Sequence, residues 1–285
     1  MDQFNGALVV EPTPEFSMRI QIGYDIHFSV PAPTPMLLLL HTHPGRYNLI
    51  KPEQLAILPN VPTQMFADSF GNTCTRLVAP AGLLQLSNNA VVDVDGLPDL
   101  VDLNAQQLQI QDLPTYTLPF LLASRYCEVD RLTEFAWKQF GTGVTGYQRV
   151  QAVCNYVHNH IQFGYPFAHS FKSAFDVFNQ RQGVCRDFAH LSITLCRCLG
   201  IPARYVTGYL GDIGVPFNPD PMDFSAWFEV YLSNMWYTFD ARHNHPRIGR
   251  IVMAHGRDAA DTALTTSFGP TTLQQFKVWT NEVQP

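Results

Sequence analysis

The chain of 285 residues reads as an α+β protein in two parts: a β-sandwich over residues 1–113, then a helix-bearing domain over residues 114–285. Three observations predict this class. Residues 18–28 alternate, with Met18, Ile20, Ile22, Tyr24, Ile26 and Phe28 on one face and Arg19, Gln21, Gly23, Asp25 and His27 on the other, the period of a half-buried strand. Short strand-like runs follow at 36–40, 64–67, 73–78, 83–86 and 90–94, punctuated by turn formers such as the proline-rich 31–35 and Asp68-Ser69-Phe70-Gly71-Asn72. Around Asp112-Leu113-Pro114 to Leu118-Pro119 the pattern changes to the spacing of helices.

In the second part, Leu132, Phe135, Ala136 and Phe140 mark a first helix, and Val150, Val153, Cys154 and Val157 line one side of a second over about 147–161. A short segment at 173–178 precedes Arg181-Gln182-Gly183-Val184-Cys185-Arg186-Asp187-Phe188-Ala189-His190. From there Phe188, Leu191, Leu195 and Leu199 recur at helical spacing until Gly200 and Pro202 stop the helix. Cys185 therefore occupies the first turn, where unpaired backbone N–H groups and the positive end of the helix dipole favour a thiolate. The competing reading is a buried cysteine serving as a small hydrophobe.

Residues 204–210 form a strand by pattern, and 225–232 with 235–240 form a hairpin around Ser233-Asn234. If Leu232 faces Met235, then Trp227 faces Asp240, and Ser225 is the diagonal neighbour of Asp240 on the same face. Trp227 and Trp236 share that face and are expected to see substrate.

Composition bounds the functions. A hydrophobic fraction of 46% with 15% charged residues describes a globular chain, and a net charge of −6 argues against nucleic acid or an anionic membrane as partner. Met1 to Gly6 lack a basic-then-apolar leader, and no apolar run approaches the roughly 18 residues of a membrane span, so a cytoplasmic protein is expected. Six cysteines without a dense framework or a CxxC pattern read as reduced thiols, and no metal or cofactor is expected.

Three ordered segments resemble a known family, the bacterial transglutaminase-like cysteine peptidase superfamily, whose core is papain-like. Gly183-Val184-Cys185-Arg186-Asp187-Phe188-Ala189-His190-Leu191 is similar to its nucleophile helix, and Gly200-Ile201-Pro202-Ala203-Arg204-Tyr205-Val206-Thr207-Gly208-Tyr209 to the strand after it. Ala226-Trp227-Phe228-Glu229-Val230 with Trp236-Tyr237-Thr238-Phe239-Asp240 is similar to its hairpin. The resemblance implies helices packed on an antiparallel sheet behind an N-terminal β domain, Cys185 as nucleophile and Asp240 as orienting acid. The family's catalytic histidine stands immediately before the Ala-Trp pair, where this chain has Ser225.

Serine has no proton affinity near neutral pH and cannot serve as the base. The expectation is a cysteine hydrolase or acyltransferase on amide or peptide bonds whose activity is low or absent; the alternative is a silent cleft that holds a peptide or protein. Three other histidines are weighed as substitutes. His190 points about 140° around the helix from Cys185 and suits packing or capping. His243 falls on the face opposite Asp240 if the strand continues, unless a turn after Ala241 returns it. His169 lies in a loop. The oxyanion donors expected are the Cys185 N–H with Gln162 or Tyr165.

Elsewhere, His41-Thr42-His43 puts two imidazoles on one strand face without a third ligand. Asp93-Val94-Asp95-Gly96 reads as a turn rather than a calcium loop. Arg247, Arg250 and Arg257 with Asp258 and Asp261 read as a solvated face with internal ion pairs.

Overall fold

The computed structural model describes residues 18–283; residues 1–17, which include the segment read as leaderless, lie outside them. In chain order the strands of the first part are β1 (Met18–Val30), β2 (Thr34–Leu38), β3 (Asn48–Lys51), β4 (Ala56–Leu58), β5 (Thr63–Ala67), β6 (Thr73–Ala79) and β7 (Gly82–Val94). The runs read separately at 83–86 and 90–94 are thus one long strand, because Ser87, Asn88 and Asn89 continue the ladder opposite Asp25, Tyr24 and Gly23 of β1.

The second part begins with helices α1 (Val129–Phe140) and α2 (Gly146–His160), followed by β8 (Gln162–Phe163), α3 (Ala174–Gln180), β9 (Gln182–Gly183) and α4 (Cys185–Cys198). It continues through β10 (Ala203–Tyr209), β11 (Ser225–Leu232), β12 (Met235–Phe239) and β13 (Ile251–Gly256), and ends with β14 (Thr265–Ser267) and β15 (Thr272–Val283). None of the described helices is long and apolar enough to cross a membrane.

Two sheets, ordered β15-β1-β7-β3 with β4 also on β7, and β14-β2-β6-β5, make the sandwich. Ile20, Ile22, Tyr24 and Ile26 of β1 pack with Met36, Leu38, Leu77 and Leu86 between them. A division at residue 113 therefore needs correction: the last two strands of the chain return to the N-terminal sheets. The reason is an edge left open along β1. Val278 of β15 pairs with Tyr24, and Trp279 lies so close to Gly23 that a Cβ there would sit 2.3 Å from its ring. The mostly polar face of β15 hid this strand from a hydrophobic count.

The core sheet runs β12-β11-β10-β13, all antiparallel. Helix α4 lies on one of its faces and is buried almost throughout, with Phe188, Leu191, Leu195 and Cys196 packed against Phe228, Val230, Leu232 and Phe239 and against Val150, Val153 and Val157 of α2. Full burial of such side chains contributes about 1.5–3 kcal/mol each, so this layer sets where the start of α4 sits. The hairpin has the predicted register, Leu232 against Met235 and Phe228 against Phe239. Its two turn residues take the left-handed conformation, φ 44° at Ser233 and 66° at Asn234, as a two-residue hairpin turn requires.

Candidate active site

Three pieces of chain meet at the first turn of α4. The first is α4 itself, whose entry is tight: the Asp187 carboxylate accepts the Val184 N–H at 2.9 Å and satisfies one of the unpaired donors of the helix start. Only glycine fits at 183, since a Cβ there would lie 2.6 Å from Cβ of Asp187. The second piece is the segment 162–168, held beside α4 by the parallel β8–β9 pair and by Gly164 N–H donating to the Gly183 carbonyl at 3.1 Å. The third is the core sheet, with the start of β11 and the turn that follows β12.

Cys185, Ser225, His243, Tyr165, Arg242 and Asp223 all line one cavity of about 170 Å³. Cys185 is partly buried. Its thiol is pushed up to about 11, chiefly by burial and further by Asp223 and Asp240, against the opposing pull of the Arg242 charge and a hydrogen bond from the Ala226 backbone. The thiolate expected from the helix start is thus opposed by desolvation, and ionising the sulfur requires a partner that takes its proton.

Asp240 lies just beyond β12, where the strand ends instead of continuing. Its Oδ1 accepts the backbone N–H groups of Arg242 at 3.0 Å and His243 at 3.2 Å, and its carbonyl accepts the Asn244 N–H at 2.7 Å, with Asn244 at φ 56°. The strand does not continue to His243; the turn after Ala241, the alternative to a histidine on the opposite face, brings its Nδ1 to 2.8 Å from Asp240 Oδ2. A carboxylate on Nδ1 sets the tautomer that leaves Nε2 as the proton acceptor. On its other side Asp240 Oδ2 accepts Arg250 Nη2 at 3.0 Å, and Arg250 Nε bonds Asp99 at 2.9 Å. Although burial opposes its charge, Arg250 and His243 hold the Asp240 carboxyl below the usual carboxylate range.

Ser225 opens β11 opposite Gly208 and lines the Cys185 cavity, so the position before the Ala-Trp pair is at the site; the residue there is a hydroxyl. His190 is fully buried, stacked on Tyr126 with centroids 5.0 Å apart, and its Nε2 accepts the Ala259 N–H at 3.1 Å. Burial and two arginines drive its basicity well down. His169 is exposed in the loop after β8 and does not line the cavity. Tyr165 lines it and Gln162 does not.

Two further expectations are corrected. Trp227 is 1% exposed and packs with Val206 and Val252 on the far side of the sheet, while Trp236 stacks edge-on against Phe120 and Tyr231; neither lines the Cys185 cavity. Arg250 is buried with its two carboxylates instead of solvated, whereas Arg257 and Asp261 do form an outer ion pair at 2.8 Å. His41 hydrogen-bonds Thr75, and His43 stacks on His255. Among the described residues no cluster of three or more His, Cys, Asp or Glu is arranged to hold a metal.

Comparisons with known proteins bear on the family and the fold. Residues 134–241 match the model of the transglutaminase-like superfamily. A crystal structure of a proposed cysteine protease from Cytophaga hutchinsonii superposes with a TM-score of 0.84 at 33% identity, over 94% of this chain and 92% of that one. An uncharacterized protein of Mycobacterium leprae is 26% identical over 215 residues, 72% of this chain and 76% of its own. An uncharacterized protein of Mycobacterium tuberculosis is 34% identical over 95 residues, 30% of either chain.

Proposed function

The chain belongs to the transglutaminase-like superfamily, and on that premise we propose that it is a cysteine hydrolase or acyltransferase acting on amide or peptide bonds, with Cys185 as nucleophile, His243 as base and Asp240 as orienting acid. The observation that carries the reading is the 2.8 Å contact of His243 Nδ1 with Asp240 Oδ2, with His243 and Cys185 lining one cavity. The reading replaces the strand-borne histidine of the family's pattern, where this chain has Ser225, with one borne by a turn.

In this mechanism Nε2 of His243 takes the Cys185 proton, and the thiolate attacks the carbonyl carbon of the bound amide. Backbone N–H groups at the start of α4, with the Tyr165 hydroxyl, accept the charge that develops on the carbonyl oxygen. The imidazolium, stabilised by Asp240, then protonates the departing amine and leaves a thioester on Cys185. Water or a second amine, deprotonated by the same ring, releases the acyl group as an acid or as a new amide. Ser225 serves here as a small wall residue.

The test is alkylation by iodoacetamide across pH. Wild-type protein should react faster near neutral pH than a free thiol does, and His243→Ala should lose that advantage. Equal rates in both proteins would sink the assignment of the base. One observation favours a second reading: burial raises the Cys185 thiol, which suits a silent cleft holding a peptide or protein. Stable peptide capture without turnover, unchanged in Cys185→Ala, would support that reading.

A further inference from the structure

A second cavity of about 380 Å³ lies on the far side of the core sheet, between its outer face and the chain that follows β7. Arg46, Asp93, Asp99, Trp227, Glu229 and Arg250 are among its walls. Most of these charges are matched within the protein. Glu229 is held by Arg46 at 3.2 Å and Arg204 at 2.5 Å, and Arg250 by Asp99 at 2.9 Å and Asp240 at 3.0 Å.

What is left over is a defined set. Trp227 Nε1, Arg250 Nη1, Arg247 Nε and Asp93 Oδ1 are buried atoms of its walls with no partner among the described residues. The Trp227 residue is 1% exposed and the Arg250 side chain 6%. Buried polar groups are hydrogen-bonded as a rule, and an unpaired one is costly. Three donors and one acceptor around one cavity select against simple ions: phosphate would meet the charges of Asp93 and Glu229, and a bare cation would meet Arg250 and Arg247. The complement is a carboxylate that brings a donor of its own.

We propose that this cavity binds a small carboxylic acid bearing an adjacent hydrogen-bond donor, an α-amino or α-hydroxy acid. Its carboxylate accepts from Trp227 Nε1 and Arg250 Nη1, and its donor group meets Asp93 Oδ1. The volume lies within the usual range of small-molecule sites. The cavity is distinct from that of Cys185, although Arg247 lines both and Arg250 bonds Asp240, and the proposal stands whether or not the chain hydrolyses amides.

Calorimetry and thermal unfolding of the full chain, with glycine, glycolate, acetate and methylamine as probes, test the proposal. Glycine or glycolate should give a saturable heat and a raised unfolding temperature, with acetate and methylamine at least about tenfold weaker. Trp227→Phe, which keeps an aromatic ring but removes the N–H, should weaken binding about tenfold. Asp93→Asn should weaken glycine more than glycolate, because it removes charge and keeps an acceptor. Absence of saturable heat from either acid in a protein with an intact unfolding transition, binding of acetate equal to both, or unchanged affinity in both variants overturns the proposal. If Trp227→Phe does not fold, Asp93→Asn alone decides.

Discussion

Residue 225 begins β11 and residue 243 follows β12, so both lie at the open end of the hairpin, and both line the Cys185 cavity. They get there by different means. Ser225 is delivered by a strand, its place set by the ladder that pairs it with Gly208. His243 is delivered by a turn, held in place because the Asp240 carboxylate accepts two backbone N–H groups and then the ring itself. The comparison teaches that a catalytic position belongs to a point in space. A period of two finds the strand route to it and is blind to the turn route.

The largest expected effect sharpens neither route and checks the site as a whole. Cys185→Ala should lower amide or ester turnover by about 10⁴-fold or more, with the fold retained. His243→Ala should lower kcat by about 10²–10⁴-fold, the range of a general base, while Ser225→Ala changes it only a few-fold. The reverse order would return the active position to β11 and break the comparison. Ser225→His should likewise change turnover only a few-fold if the turn already supplies the base; a gain of about 10² or more would mean that the strand position is the productive one.

A smaller effect concerns the group behind the pair. Arg250 shares Asp240 Oδ2 with His243 and so draws off part of the charge that stabilises the imidazolium. Arg250→Lys, which loses the forked geometry, should move the acid limb of the pH–rate profile upward by roughly half a unit to one unit, with a modest loss of kcat. A loss of rate with an unmoved profile would assign Arg250 a purely structural part.

The smallest effect is on stability. Because the Asp240 carboxyl is held below its unfolded value, its contribution is complete above about pH 4 and is lost as pH falls toward the folded value. The unfolding temperature of the wild-type chain should therefore drop by a few degrees more than that of Asp240→Asn on acidification below about pH 4. Parallel curves for the two proteins would show that Asp240 is not held in this way.

Much of the fold was legible because its signals are local. Alternation found β1, helical spacing with the Gly200-Pro202 stop found α4 to within a residue, and a two-residue turn gave the register of β11 and β12. The terminal strand β15 was missed since its side chains are mostly polar, and its pairing partner lies some 250 residues away in sequence. In the site, Cys185 and Asp240 were named, and His243 was set opposite Asp240 on a continuing strand, with a turn after Ala241 as the alternative. The signal that favours that turn is Asp240-Ala241-Arg242-His243-Asn244, where Asp and Asn flank it. Arg250 was read as solvated because charge in a sequence carries no depth.

From sequence alone came the kinds of element, the order in which they follow, and the two residue types that bracket the chemistry, since periodicity, turn formers and a cysteine at a helix start act over a few residues. The tertiary structure alone decided that the chain's last strand closes the first sheet. It also decided that Trp227 faces an inner cavity instead of substrate, and that an imidazole turns back to meet a carboxylate three residues earlier. Those outcomes depend on where a strand stops and on which charges are buried together, quantities set by packing among residues far apart in the chain.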